Sequence, residues 1–98
     1  MITVRTTPEF DAWLSCIKDK VTRIRLARRL DRVQQGNFGD VKQVSESVFE
    51  MREHFGPGWR MYYARYGQVV VIMLGGGDKS TQATDIAKAI RRAATLVE

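Results

Sequence analysis

Three strand-like segments, separated only by tight turns, constrain the fold of this chain more than any other feature of its sequence. They span residues 49–55, 59–65 and 68–74, and each is rich in aromatic, β-branched or methionine side chains. Gly56-Pro57-Gly58 and Tyr66-Gly67 separate them, and glycine and proline in such short connections are typical of turns. The third segment, QVVVIML, is almost wholly apolar, as expected for a strand covered on both faces. The sequence therefore predicts three consecutive strands of one sheet.

The side chains of the first two strands fall on faces of opposite character, because successive residues of a strand point to opposite sides of the sheet. One face collects apolar side chains and is the predicted core: Phe49, Met51, Met61 and Tyr63. The other face would carry polar and cationic side chains: Arg52, His54, Arg60 and Tyr62. Arg60 lies across from Arg52 only if the turn between the strands sets that register.

Two helices are predicted before these strands. Residues 1–5 alternate as a short strand, and Thr6, Pro8 and Glu9 then match a helix start, with capping-box spacing and proline in the first turn. That helix would present one apolar stripe, formed by Phe10, Trp13, Leu14 and Ile17. A second helix would run from residue 21 to about residue 35, where Gly36-Asn37 closes it.

The remaining segments complete an α+β chain. Residues 34–40 are a loop by composition, and residues 41–48 would form an edge strand leading into the first core strand. After the third strand, GGGDK delivers Lys79 to the rim of the sheet, and Ser80 or Thr81 would cap a last helix. The predicted packing side of that helix is Ala83, Ile86, Ala87, Ile90, Ala94 and Val97. The predicted order is β-α-α-β-β-β-α in one domain, residues 1–98.

The second helix carries four arginines on one side: Arg25, Arg28, Arg29 and Arg32. No carboxylate is interleaved on that stripe, so the arginines repel one another and slightly weaken the isolated helix. Two interpretations stay open, a solvated helix face or a ribbon that follows RNA phosphates or docks an acidic partner. The chain has 16 Lys and Arg against 11 Asp and Glu, a net charge of +5, which favours a polyanionic partner.

The cationic side chains on and beside the sheet suit RNA cleavage without a metal. One group must take the proton of a ribose 2′-OH and another must protonate the 5′-oxygen, and His54 suits proton transfer. Fixed positive charge must stabilise the phosphoryl oxygens, a role for Arg52, Arg60 and Lys79, with Tyr62 as a further RNA contact. One cysteine and one histidine cannot form a structural zinc site, and neither a phosphate-loop motif nor an acidic Mg²⁺ cluster is present. The sequence therefore predicts no metal and no cofactor.

Each of these residues also has an ordinary structural interpretation. His54 would be a half-exposed residue before a turn, Tyr62 would be core packing, and Lys79 would only begin a helix. Arg52 and Arg60 would form solvated ion pairs on the sheet with one of three carboxylates: Glu50, Glu53 or Asp78.

Several motifs together resemble those of a known family. The two main ones are FEMREHFGPGWRMYYARY and MLGGGDKST, and TPEFDAWL and GNFGD flank the predicted helices. This combination resembles the addiction-module killer proteins, a branch of the RelE/HigB-like toxins of bacterial type II toxin–antitoxin modules that is related to phage Gp49-like proteins. The resemblance covers nearly the whole chain.

The resemblance implies a RelE-like fold, a small twisted antiparallel sheet with two N-terminal helices packed on one face and a C-terminal helix. It also implies a cytoplasmic toxin that binds the ribosomal A site and cleaves the mRNA there without a metal. A cognate antitoxin, usually a small helix-turn-helix protein, silences such toxins, and operator DNA is bound only through the antitoxin complex. No membrane partner is expected.

By position, the resemblance assigns Arg52 to a basic sheet residue, Arg60 to the arginine after the glycine turn, and Lys79 to the basic residue after the last strand. Better-studied members use a C-terminal tyrosine or a differently placed histidine in proton transfer, and this sequence has no tyrosine after Tyr66. Proton transfer is therefore assigned to His54. The alternative from another functional class is a non-catalytic basic module that binds nucleic acid or an acidic protein through the arginines of the second helix.

Overall fold

The structure, a computed structural model, describes residues 1–96. Its helices and strands in chain order are β1 Thr3–Thr6, α1 Pro8–Ser15, α2 Lys20–Gln34, β2 Val41–Gln43, β3 Phe49–Arg52, β4 Trp59–Tyr66, β5 Val70–Asp78 and α3 Gln82–Thr95. A 3-10 turn, Lys79–Thr81, connects β5 to α3. None of the helices in this part of the chain is long and apolar enough to cross a membrane.

The five strands within residues 1–96 form one sheet in the order β1-β5-β4-β3-β2. The strands β2 to β5 are antiparallel neighbours, whereas β1 joins the far edge parallel to β5. The predicted α+β class is confirmed, and the sheet is mixed because of β1. Residues 41–48 contain a separate edge strand, β2, because the N–H groups of Val44 and Ser45 donate to the Val48 carbonyl and close a turn before β3.

Apolar packing occurs on both faces of the sheet. The helices α1 and α2 cover the predicted core face, where Phe10 and Leu26 pack in one cluster with Met61. The helix α3 covers the opposite face, where Ala89 packs in a second cluster with Tyr62. Both central strands, β4 and β5, are therefore covered on two sides, which explains their largely apolar sequences.

The predicted packing side of α3 is wrong. Ala89 and Ala93 are the buried residues of this helix. Of the predicted set, Ile86 packs against the core, and the other described members are exposed: Ala83, Ala87, Ile90 and Ala94. Val97 lies outside the described residues. The helix is rotated because Asp85 and Arg92 lie against glycines of β5, so polar contacts decide which side faces the sheet.

The three consecutive glycines belong to β5, although the sequence predicted that the strand ends before them. They pair with residues 60–62 of β4. A Cβ atom on Gly75 would lie 2.5 Å from Arg92 Nη1, and one on Gly76 would lie 2.5 Å from the Trp13 ring. The glycines therefore allow α1 and α3 to approach the strand from opposite faces, which a larger residue would prevent.

Candidate functional site

Arg52 and Arg60 face each other across neighbouring strands. Their Cα atoms are direct partners in the β3–β4 ladder, so both side chains lie on the same face of the sheet. The turn between the strands uses Gly56 and Gly58 with positive φ values of 57° and 81°. That backbone conformation favours glycine and sets the register, which confirms that Arg60 lies opposite Arg52.

Glu50 supplies the negative charge beside this arginine pair. Its Oε1 accepts a hydrogen bond of 3.0 Å from Arg52 Nε and lies 3.9 Å from Arg60 Nε, while its Oε2 accepts one of 2.8 Å from Gln82 at the start of α3. The Glu50 side chain is 0% exposed. The ordinary structural interpretation of these arginines was solvated ion pairs with carboxylates such as Glu50. Glu50 does pair with Arg52, but its carboxylate is buried rather than solvated. The sequence signal was available, since Glu50 shares a strand face with Arg52.

The two arginines differ in access. The Arg52 side chain is 28% exposed, and neither of its Nη atoms donates a hydrogen bond to any of residues 1–96. Arg60 is only 5% exposed, and its Nη1 donates to the carbonyls of Trp59 at 3.0 Å and Glu53 at 3.3 Å. Arg52 is therefore the arginine with an open guanidinium edge, and Arg60 lies behind it and supports the turn.

The structure contradicts a direct RNA contact for Tyr62 in this state. Its side chain is fully buried under α3, and its hydroxyl has no hydrogen-bond partner within residues 1–96. Burial raises the pKa of the Tyr62 phenol far above its ordinary value, and the charge of nearby Glu50 raises it further. Tyr62 is therefore a core residue, in agreement with its ordinary structural interpretation.

His54 forms a surface pair with Asp40. The strand β3 ends at Arg52, so the prediction that His54 shares a strand face with Arg52 is wrong, because alternation stops where the strand ends. His54 Nε2 lies 2.6 Å from Asp40 Oδ2, and the two side chains are 68% and 50% exposed. The hydrogen bond with His54 lowers the pKa of Asp40, and the charge of Arg52 lowers it further. A carboxylate that orients an exposed imidazole near an arginine is an arrangement suited to proton transfer.

Arg29 is not part of an exposed arginine stripe, contrary to the prediction. It is 5% exposed and donates to the backbone carbonyls of Phe38, Asp40 and Arg52, and it forms an ion pair with Glu53. Arg29 therefore joins the loop that carries Asp40 to the end of β3. Its position borders the buried side of α2, a signal that the helical periodicity contained.

The other three arginines of the predicted stripe remain exposed: Arg25, Arg28 and Arg32. Together with Glu53 they line a cleft of about 220 Å³. The guanidinium carbon of Arg25 lies 3.7 Å from the centre of the Phe55 ring, which anchors that side chain to the β3–β4 loop. The cleft therefore borders the loop that carries His54.

Lys79 lies on the rim of the sheet, as predicted, at the start of the 3-10 turn. Its side chain crosses Gly58, where an added Cβ would lie 2.8 Å from Lys79 Cδ and 3.6 Å from Arg60 Nη1. The Asp78 carboxylate caps the turn by accepting hydrogen bonds from the Ser80 hydroxyl and, at 2.8 Å, from the Ser80 N–H, and both lower the pKa of Asp78. The structure thus brings Lys79 close to Arg60, which in turn lies opposite Arg52. Within residues 1–96 no group of three or more His, Cys, Asp and Glu side chains is placed to hold a metal ion.

Comparisons with known proteins agree with this architecture. The family model "Phage derived protein Gp49-like (DUF891)" matches residues 12–98. An uncharacterized protein of Haemophilus influenzae is 46% identical over 88 residues, which cover 90% of this chain and 89% of that protein. A solved structure of a mutant of the E. coli toxin RelE in the free state superimposes with a TM-score of 0.73 over 93% of this chain and 96% of that chain. Its sequence identity is 15%, so this likeness describes the fold.

Proposed function

Because this chain belongs to the phage-derived Gp49-like family and has a RelE-like fold, we propose that it is the toxin of a type II toxin–antitoxin module. The toxin is a metal-independent endoribonuclease that cleaves mRNA in the ribosomal A site and stops translation. One observation carries this proposal: the open guanidinium edge of Arg52 lies beside a second arginine, on a residue whose backbone N–H donates to the carbonyl of Asp40, the partner of His54, at 3.0 Å.

The reaction consists of an internal transfer at phosphorus. The ribose 2′-oxygen attacks the adjacent phosphorus and forms a P–O bond, while the bond from phosphorus to the 5′-oxygen of the next nucleotide breaks. The 2′-OH proton leaves to a base, and the departing 5′-oxygen receives a proton from an acid. The products are a 2′,3′-cyclic phosphate and a 5′-hydroxyl, so neither an oxidant nor a co-substrate is needed.

Arg52 is suited to the charge that develops on the phosphoryl oxygens. Its two Nη atoms form a planar fork that matches two oxygens of one phosphate, and its Nε is already engaged by Glu50. Lys79 adds a point charge from the rim, and Arg60 adds fixed positive charge from behind. Removing one such charge-stabilising donor typically costs about 10²–10³ in rate.

His54 is the candidate for proton transfer. An imidazole changes protonation near neutral pH more readily than any other side chain, and the Asp40 carboxylate orients its ring. Arg29 holds the Asp40 backbone and so maintains this pair, although it does not face solvent itself.

The exposed arginines of α2 extend the cationic surface away from the reacting phosphate. Arg25, Arg28 and Arg32 would contact neighbouring phosphates of the message or of ribosomal RNA. The same cleft supports the second candidate function, a basic module that binds RNA or an acidic protein without cleaving it. Binding without cleavage under all conditions would select that alternative.

The proposal is tested with ribosomes that carry a defined message and an empty A site. The unsubstituted protein should cut the message, and Arg52→Ala should slow cleavage by about 10²–10³-fold without loss of fold. Arg5→Ala is the matched control, because it removes the same charge from the exposed edge strand β1, which two other strands separate from β3. Equal rates for Arg52→Ala and Arg5→Ala would refute the assignment of this site.

The proposed partner is a cognate helix-turn-helix antitoxin in the cytoplasm, and operator DNA is bound only through that complex. Co-expression with the product of the neighbouring gene should restore growth and yield a purified complex in which message cleavage is absent. Two freely separating proteins that leave cleavage intact would refute this part of the proposal.

A further inference from the structure

Glu50 is a buried carboxylate to which the mechanism above gives no chemical step. Its side chain has no exposed surface, although it lies on the same strand face as Arg52. A buried charge is strongly unfavourable unless it is paired and hydrogen-bonded. The contacts of the Glu50 carboxylate therefore show which groups it holds in place.

Each oxygen of Glu50 has a separate partner. Oε1 accepts from Arg52 Nε at 3.0 Å and faces Arg60 Nε at 3.9 Å, whereas Oε2 accepts from Gln82 Nε2 at 2.8 Å. One carboxylate thus serves two guanidinium groups, and formal positive charge remains on this part of the sheet.

Stability alone does not account for this cluster. Two like charges directly opposite each other in a β-ladder are unfavourable, and well-packed apolar side chains are often at least as stable as a buried ion pair. Arg60 Nε and the Tyr62 hydroxyl, both buried, also lack hydrogen-bond partners within residues 1–96. A site that retains such costs usually serves a ligand or a reaction.

The contact with Nε fixes the direction of the Arg52 fork. A guanidinium group is planar and can bind end-on through its two Nη atoms, so a hydrogen bond at Nε alone leaves that end-on edge available. Those atoms are the ones with no hydrogen bond to residues 1–96, on a side chain that is 28% exposed. Glu50 therefore holds the inner edge of Arg52 and leaves the outer edge for a phosphate.

The contact with Gln82 connects this arrangement to the C-terminal helix. Gln82 is the first residue of α3 and follows directly after the 3-10 turn that begins with Lys79. The same carboxylate therefore links the strand that carries Arg52 to the segment that carries Lys79.

We propose that Glu50 is a positioning residue that directs the Arg52 guanidinium at the RNA phosphate and, through Gln82, keeps the start of α3 in register with it. This inference rests on the proposed function and adds a residue that acts through Arg52 rather than on the substrate.

The test is a double-mutant cycle in single-turnover cleavage of a ribosome-bound message, with rates normalised to the folded fraction from thermal unfolding. The variants are Glu50→Gln, Arg52→Ala and their combination. Glu50→Gln keeps the size of the side chain but removes the negative charge that pairs with the Arg52 guanidinium. We expect the maximal rate to fall by about 10²-fold, as for a misplaced catalytic group, with little change in the protein concentration that gives half-maximal rate.

The rate of the double variant decides whether Glu50 acts through Arg52. If Glu50 acts through Arg52, Glu50→Gln has no further effect once Arg52 is alanine, so the double variant is as slow as Arg52→Ala alone. Multiplication of the two losses, or an unchanged rate for Glu50→Gln, would overturn the inference and leave the proposed function intact. Absence of cleavage by the unsubstituted protein would overturn both.

Gln82→Ala provides a second cycle that does not depend on the folding of Glu50→Gln. It removes the partner of Oε2 while the Glu50–Arg52 hydrogen bond stays available. We expect the cleavage rate to fall by about tenfold or more, as for removal of a residue that orients a catalytic group from behind. In the Arg52→Ala background we again expect no further fall in rate. A full additional loss in that background would show that Gln82 acts independently of Arg52 and would overturn its part in the inference.

Discussion

Arg29→Ala distinguishes the buried arginine of α2 from its exposed neighbours. The guanidinium of Arg29 donates to three backbone carbonyls, at 2.7 Å to Arg52, 2.8 Å to Asp40 and 2.8 Å to Phe38, and forms an ion pair with Glu53. Alanine leaves all four acceptors without this donor. The adjacent Arg28 is exposed and lines the cationic cleft, so Arg28→Ala is the matched control.

The expected magnitude follows from burial. The side chains of Arg29 and Glu53 are 6% and 16% exposed, so the substitution breaks a largely buried ion pair, which typically costs about 3–5 kcal/mol in free energy of unfolding. Glu53 also lines the open cleft and can turn toward water, which favours the lower end, about 3 kcal/mol. At about 4–8 °C per kcal/mol for a domain of this size, the melting temperature should fall by at least about 12 °C. Arg28→Ala should change the free energy of unfolding by no more than about 0.5 kcal/mol.

Urea unfolding followed by circular dichroism, together with a thermal scan, measures both variants under the same conditions. Arg28→Ala should instead weaken RNA binding and reduce the salt dependence of log K by about 0.7 units of slope for one lost phosphate contact on single-stranded RNA. Equal unfolding midpoints for the two variants would refute the assignment of Arg29 as the residue that joins the loop to β3.

Two further substitutions test other contacts of the fold. Gly76→Ala should lower the free energy of unfolding by about 1–3 kcal/mol, because its Cβ would lie 2.5 Å from the Trp13 ring; an unchanged urea midpoint would contradict the close approach. Tyr62→Phe should leave stability at neutral pH unchanged or slightly higher, because the hydroxyl lacks a partner within residues 1–96. Since burial raises the pKa of Tyr62 above its unfolded value of 10.0, the native protein should lose stability as pH rises past 10.0, and Tyr62→Phe should lose less. The measurement is urea unfolding of both proteins at several alkaline pH values. If the free energy of unfolding falls equally with pH for both, the reasoning is contradicted.

Local rules were sufficient for most of the elements and for one face of the sheet. Alternation along β3 and β4 is a property of each strand, so Met51 and Met61 were correctly predicted in the core and Arg52 and Arg60 on the opposite face. Glycine in the turn between them made the observed register possible. The start of α1 followed from a threonine cap, although the hydroxyl that accepts from the Phe10 N–H belongs to Thr7, one residue later than the predicted Thr6.

Long-range contacts decided the rest, because they join residues that no local pattern connects. The sequence grouped Arg29 with three other arginines, and only the approach of the loop at residues 38–40 and the end of β3 buried it. Periodicity favoured the more regular apolar stripe of α3, whereas contacts of Asp85 and Arg92 with the β5 glycines turned that stripe to solvent. A helix has a polar and an apolar side by sequence alone, but which residues lose water depends on what packs against it.

The same distinction holds for the candidate site. The chain by itself determined that two arginines share a sheet face, since that requires only period-two alternation and a short turn. The tertiary structure determined that Glu50 is fully buried and that Gln82 of α3, 32 residues away, donates to it. It also determined that His54 pairs with Asp40 beyond the end of the strand. Burial and pairing of charged groups are set by every element that surrounds them, so the electrostatics of the site exist only once the sheet and helices have assembled.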